Sequence, residues 1–196
     1  MDSSHGYEGV AEQFLARRGK AASVGIGVAE VRNWARRLRA GSSVLDLGCG
    51  PGFPITAVLV EEGLEVYGVD ASPSFVAAFQ RNLPGVPIVC ESVLESSFFH
   101  RSFDAVLAWG LMFLLTVEEQ HRLLQRFAEA LAPGGRLLFT ATAKANVWKD
   151  GMTDRESVSL GAEQYRALLE AAGFTVTNEY ADLGENHYCE AIRGSN

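Results

Sequence analysis

The chain has 196 residues, 47% hydrophobic and 21% charged, with a formal net charge of −7. Such a balance fits a folded globular chain with a full core and excludes the disordered and fibrous classes. The acidic charge opposes DNA or RNA as the main partner, and Cys49, Cys90 and Cys189 form neither a C-x-x-C pair nor a metal-ligand spacing.

At the start, Met1 to Gly9 lacks the apolar core of a signal peptide, and no apolar run approaches a membrane span. A soluble, cytoplasmic chain is expected. Tyr7, Val10, Ala11, Phe14 and Leu15 recur at helical spacing, and Val31, Trp34, Ala35 and Leu38 form a second stripe. Residues 1–40 hold seven Lys or Arg against four acids, a pattern explained by solvated helix faces. Attraction of an anionic substrate is the competing reading.

The most informative stretch is Val44-Leu45-Asp46-Leu47-Gly48-Cys49-Gly50-Pro51-Gly52-Phe53. An apolar run breaks into three glycines at alternate positions and a second apolar run begins at Ile55, which reads as strand, tight turn, helix. Glycines at such a junction leave backbone N–H groups facing a ligand. The dinucleotide spacing G-x-G-x-x-G would place its third glycine at Phe53, and Asp46 would repel a pyrophosphate. Asp46 suits a ligand with an ammonium group instead. Asp70 ends the next apolar run, Glu65 to Val69, where a carboxylate can accept two ribose hydroxyl protons. Together they point to an adenosine ligand with a cationic tail.

Farther on, Ser72-Pro73 provides an N-cap and an N1 proline for a helix that Pro84-Gly85 breaks. Strands are expected at 86–90 and 103–108, the latter running into the apolar loop 109–115. Thr116 to Glu119 reads as a capping box opening a long helix, and Pro133-Gly134-Gly135 turns it into a strand at 136–142. Residues 143–160 look polar and irregular. A helix over 162–172 precedes strands at 174–180 and 188–192, joined by a turn carrying Glu185, Asn186 and His187.

Val44–Gly52, Gly68–Asp70, Phe103–Val106 and Leu131–Gly135 resemble, in order and spacing, the motifs of class I S-adenosylmethionine-dependent methyltransferases, closest to the small-molecule type. The motifs cover roughly residues 44–140. The resemblance implies one methyltransferase domain over 1–196: N-terminal cap helices in 1–40 and a Rossmann-like α/β core in 41–196, with 143–160 as a lid. The implied fold is a doubly wound seven-stranded sheet of order 3-2-1-4-5-7-6 with strand seven antiparallel. S-adenosyl-L-methionine would contact Asp46, Gly48, Cys49, Gly50, Asp70, Ala71, Glu91, Ser92 and Trp109, with Glu91 and the N–H after it at the adenine. Tyr7 and Arg18 are candidates for the cofactor's carboxylate, against core packing and surface charge. For the small-molecule substrate, Met112, Trp148 and His187 are candidates, against plain core for Met112 and turn chemistry for the His187 segment. The chain has Ala108-Trp109-Gly110-Leu111 where relatives that methylate amino groups of bases, amides or proteins often carry an Asn-Pro-Pro-Tyr type of motif, which argues against those acceptors. No catalytic residue or metal site follows, and no stretch isolates a subunit interface. A chain that binds the cofactor without catalysing would keep nearly all the same residues.

Overall fold

The computed structural model describes residues 2–17 and 25–195. Helices α1 (Tyr7–Arg17) and α2 (Val28–Ala35) precede a β/α succession: β1 (Ser43–Leu47), α3 (Ile55–Glu61), β2 (Glu65–Asp70), α4 (Pro73–Asn82), β3 (Ile88–Cys90) and β4 (Phe103–Ala108). Then come α5 (Val117–Ala130), β5 (Leu131–Ala141), β6 (Asn146–Lys149), β7 (Glu156–Ser159), α6 (Ala162–Ala171), β8 (Phe174–Ala181) and β9 (His187–Arg193). Seven strands form one sheet in the order β3-β2-β1-β4-β5-β9-β8. The first five run parallel, and β9 pairs antiparallel with both β5 and β8. This is the expected doubly wound Rossmann-like sheet, its last two strands being β8 and β9.

Side-chain alternation along the strands feeds a core on each face. Leu45 and Leu47 of β1 join a cluster with α5 and α6, whereas Val44 joins one with α2 and α3. The local signals explain the helix ends. Ser72 caps α4 by accepting from Phe75 N, Pro73 stands at its first turn, and Thr116 with Glu119 forms a full capping box on α5. Three of the basic residues near the start are held in ion pairs: Arg32 and Arg36 bind Glu61 and Glu62 at the end of α3, and Arg37 binds the buried Glu190.

Two expectations need correction. Residues 143–160 are not irregular, since β6 and β7 pair as an antiparallel hairpin from Asn146↔Ser159 to Lys149↔Glu156. The hairpin is rooted in the core by Gln120, which is fully buried. Its Nε2 donates to Leu115 O at 2.9 Å and Val158 O at 2.8 Å, and its Oε1 accepts from Tyr165 OH at 2.6 Å. The fifth strand also starts earlier than Arg136. Leu131 already pairs with Phe103, and a register shift before Ala105↔Arg136 accommodates Pro133-Gly134-Gly135 as an irregularity within β5. Among the described residues, no helix is long and apolar enough to cross a membrane.

Candidate functional site

The site forms at the carboxyl ends of β1, β2 and β4, the crevice where open α/β sheets bind ligands. Gly48, Gly50 and Gly52 all have positive φ, of 68°, 56° and 83°. Gly50 uses its conformation to aim its N–H at Asp70 Oδ2, at 2.8 Å, while Asp70 Oδ1 accepts from Ser72 N at 2.9 Å. One carboxylate thus clasps the first turn and the start of α4. Gly68 serves by close approach, because a Cβ there would stand 2.8 Å from Cys49 Sγ.

Gly48, Cys49, Gly50 and Asp70 border a cavity of about 340 Å³. Asp46, on its floor, accepts from Thr56 Oγ1 at 2.7 Å. Burial pushes its carboxyl up to about 7 against the pull of that hydrogen bond, and the Asp70 charge adds to the rise. Burial also raises Asp70, opposed by the N–H groups of Ser72 and Gly50. The Cys49 thiol is pushed far up by burial and by the two carboxylates, so it stays protonated and unreactive.

The roof comes from the first residues. Phe14 of α1 packs on Phe75 at 4.9 Å between ring centroids, and Tyr7 lies 5.9 Å from Phe14. Glu8 accepts from Ser74 N at 3.1 Å and Ser74 Oγ at 2.7 Å, fixing α1 to the start of α4. Ser3, Ser4 and His5 complete this side of the lining. Opposite stands Trp109, whose Nε1 donates to Tyr188 OH at 3.0 Å, and that hydroxyl donates to Asp182 Oδ2 at 2.9 Å. Asp182 also fixes the β8–β9 turn by accepting from Gly184 N and Asn186 N, and both of those residues line the cavity. A second cavity, also about 340 Å³, lies between the β6–β7 hairpin, the start of α5 and the N-terminal turn. His5, Leu114 and Leu115 line both.

Of the residues expected at the cofactor, Asp46, Gly48, Cys49, Gly50, Asp70, Ala71, Ser92 and Trp109 line the first cavity. Glu91 does not. It is exposed, and its backbone N–H is spent on Asp70 O at 3.0 Å. Tyr7 lines the cavity with its hydroxyl donating to Asp150 Oδ2 at 3.3 Å, and Arg18 lies outside the described residues. The three substrate candidates stand apart from the lining. Met112 is fully buried in the core, and Trp148 packs behind the lining residue Phe113 at 5.6 Å. His187 Nε2 faces Glu179 Oε1 at 3.1 Å, because β9 directs it to its β8 neighbour. Sequence reasoning missed His5, Ile26, Phe53 and Phe75 as lining. Phe53 follows the glycine turn directly and could have been found there, whereas no local signal marks His5, Ile26 or Phe75.

Residues 44–135 match the family model described as methyltransferase domain. Ribosomal protein L11 methyltransferase of Thermus thermophilus is 34% identical over 152 residues, covering 76% of this chain and 51% of the relative. The chain spans about half the length of the first curated relatives it matches. Among solved structures, magnesium protoporphyrin IX methyltransferase from Synechocystis PCC 6803, with bound S-adenosylmethionine, is similar at a TM-score of 0.77 and 17% identity, covering 99% of this chain and 98% of that one. A Burkholderia thailandensis N1-methyltransferase with bound 1,6-didemethyltoxoflavin and S-adenosylhomocysteine gives 0.73 and 21%, over 97% and 90%.

Proposed function

We propose, from the premise that this chain belongs to the class I S-adenosylmethionine-dependent methyltransferase family, that it methylates a small-molecule acceptor. The lining suits the cofactor: two carboxylates, Asp46 and Asp70, and no Lys or Arg among the described residues of the wall. Such a set draws ammonium and sulfonium groups and repels pyrophosphate. Bound there, S-adenosylmethionine supplies an electrophilic methyl group. The chain's part is to hold, orient and keep dry. Asp70 would hold the ribose and Asp46 the amino end, with Ala71 and Ser92 beside the base and Trp109 at the wall where the acceptor enters.

The observation that carries the small acceptor is the roof. With α1 pinned to α4 through Glu8 and the N-terminal turn among the lining, a compact molecule fits the crevice better than a folded macromolecule. The porphyrin and toxoflavin enzymes named above share this fold, while the Thermus relative is named for a ribosomal protein, so kinship alone leaves the acceptor class open. Free thiols at Cys49, Cys90 and Cys189 suit a cytoplasmic setting. Calorimetric titration with S-adenosylmethionine, S-adenosylhomocysteine and NAD tests the proposal. Micromolar binding of the first two without NAD is expected; binding of NAD alone overturns it.

A further inference from the structure

His5 stands where the two cavities meet and lines both. Among the described residues of the first cavity it carries the only imidazole. Its φ of 49° lies in the left-handed region, a conformation unfavourable for a residue with a Cβ. Its neighbours enforce that conformation. The Asp2 carboxylate accepts from Ser4 N at 3.0 Å, Ser4 Oγ at 2.6 Å and Gly6 N at 2.9 Å. Arg155, from the loop between β6 and β7, donates to the same carboxylate at 2.9 Å. Behind the ring, His5 Nε2 lies 3.9 Å from Glu119 Oε2, an oxygen already fixed by Thr116 N at 2.9 Å. Around it, Glu118, Asp150 and Glu156 face the second cavity, with Asp150 bonded to Tyr7 and Arg155 to Asp2.

An imidazole backed by a carboxylate is the arrangement that accepts a proton and steadies the cation formed. The other titratable groups on this wall are engaged elsewhere. Asp46 and Asp70 serve the glycine turn, Cys49 holds its proton and the Tyr7 hydroxyl donates to Asp150, while His187 stands off this wall with Glu179. The apolar part of the same lining is Trp109, Leu111, Phe113, Leu114 and Leu115, of which Leu114 and Leu115 also border the second cavity with His5. A neutral amine attacks a sulfonium through its free lone pair, whereas a hydroxyl is a weak nucleophile until its proton is removed.

We propose that His5 is the base for the reaction and that the acceptor is a neutral aromatic hydroxyl compound. This rests on the methyl-transfer reading above. The acceptor oxygen bonds to the methyl carbon as the carbon–sulfur bond breaks, and that bond's electron pair stays on sulfur. The hydroxyl proton passes to His5 Nδ1, and Glu119 balances the resulting charge.

The test uses the whole chain with 1-naphthol, 1-naphthylamine and 1-naphthoate, three acceptors of one shape, reading S-adenosylhomocysteine release. Calorimetry with S-adenosylhomocysteine comes first, and absence of binding sinks the methyltransferase reading itself. With binding present, 1-naphthol is the expected substrate, at a rate that rises with pH. Preference for 1-naphthylamine or 1-naphthoate, or silence from all three, overturns the proposal. His5→Asn, chosen because Asn tolerates positive φ, should cut 1-naphthol turnover by about 10²–10⁴-fold and remove the rising limb, leaving cofactor affinity unchanged. Glu119→Gln keeps the capping box and should cost less, with the same limb displaced. A readout without turnover is the yellow of bound 4-nitrophenolate in the S-adenosylhomocysteine complex, which His5→Asn should abolish. An unaltered pH profile and colour in His5→Asn leave His5 no role as base.

Discussion

The glycine turn and the proposed acceptor wall share one cavity, yet they are made in different ways. The turn is built from backbone: Gly50 N and Ser72 N meet Asp70, and the pieces lie within 26 residues of each other, from Asp46 to Ser72. The wall is built from side chains brought together over long separations. Asp2 meets Arg155, Tyr7 meets Asp150, and Trp109 leans on Tyr188 and through it on Asp182. A backbone device demands particular residues at fixed spacing and so leaves a pattern in the sequence. A side-chain wall demands only shape and polarity at the right place in space, which many sequences satisfy.

The largest effect should come from the buried carboxylate of the turn. Asp46 titrates near 7 in the folded chain, above its ordinary carboxylate value of 3.8, so its contribution to stability is complete below about pH 4 and is lost as pH rises through 7. The ligand-free protein should lose on the order of a few kcal/mol across that window from this residue. Asp46→Asn should flatten the fall in thermal midpoint between pH 4 and pH 7. Parallel curves for the two proteins would mean that Asp46 is already charged in the fold.

Next in size, Asp70→Ala removes the clasp and the proposed ribose acceptor, together about 1.5–3 kcal/mol. Calorimetry should show S-adenosylhomocysteine binding weakened roughly ten- to a hundredfold. An unchanged affinity contradicts the role given to the turn. The smallest effect belongs to the wall. Trp148→Ala strips the support behind Phe113, worth about 0.5–1.5 kcal/mol, and should change acceptor KM while sparing cofactor affinity. Equal loss of both would erase the distinction between the two halves of the cavity.

The same contrast governs what could be read from the residues. The capping box at Thr116 was legible because it rests on short-range chemistry, the strands because each shows as an apolar run, and the sheet order because the motif resemblance implied it. The β6–β7 hairpin was not: Asn146–Lys149 and Glu156–Ser159 are short, polar and largely exposed at β6, with no apolar alternation to show them. What secures the hairpin is Gln120, far away in α5, and nothing around Gln120 announces a buried amide. At the site, Asp46, Gly48, Gly50 and Asp70 followed from spacing and charge. His187 drew attention as a polar residue at a turn, while His5 reached the wall through contacts with Asp2 and Glu119 that only the folded chain assembles.

Gln120 grips β7 by a main-chain carbonyl, that of Val158. A carbonyl is the same whatever side chain its residue carries, so this attachment is indifferent to the sequence it holds. The hairpin is in that sense a replaceable fitting. Residues outboard of Val158 can be exchanged without disturbing the amide that seats them, and exchange of Trp148, Asp150 or Arg155, which touch Phe113, Tyr7 and Asp2, would reshape the wall while the glycine turn stays as it is.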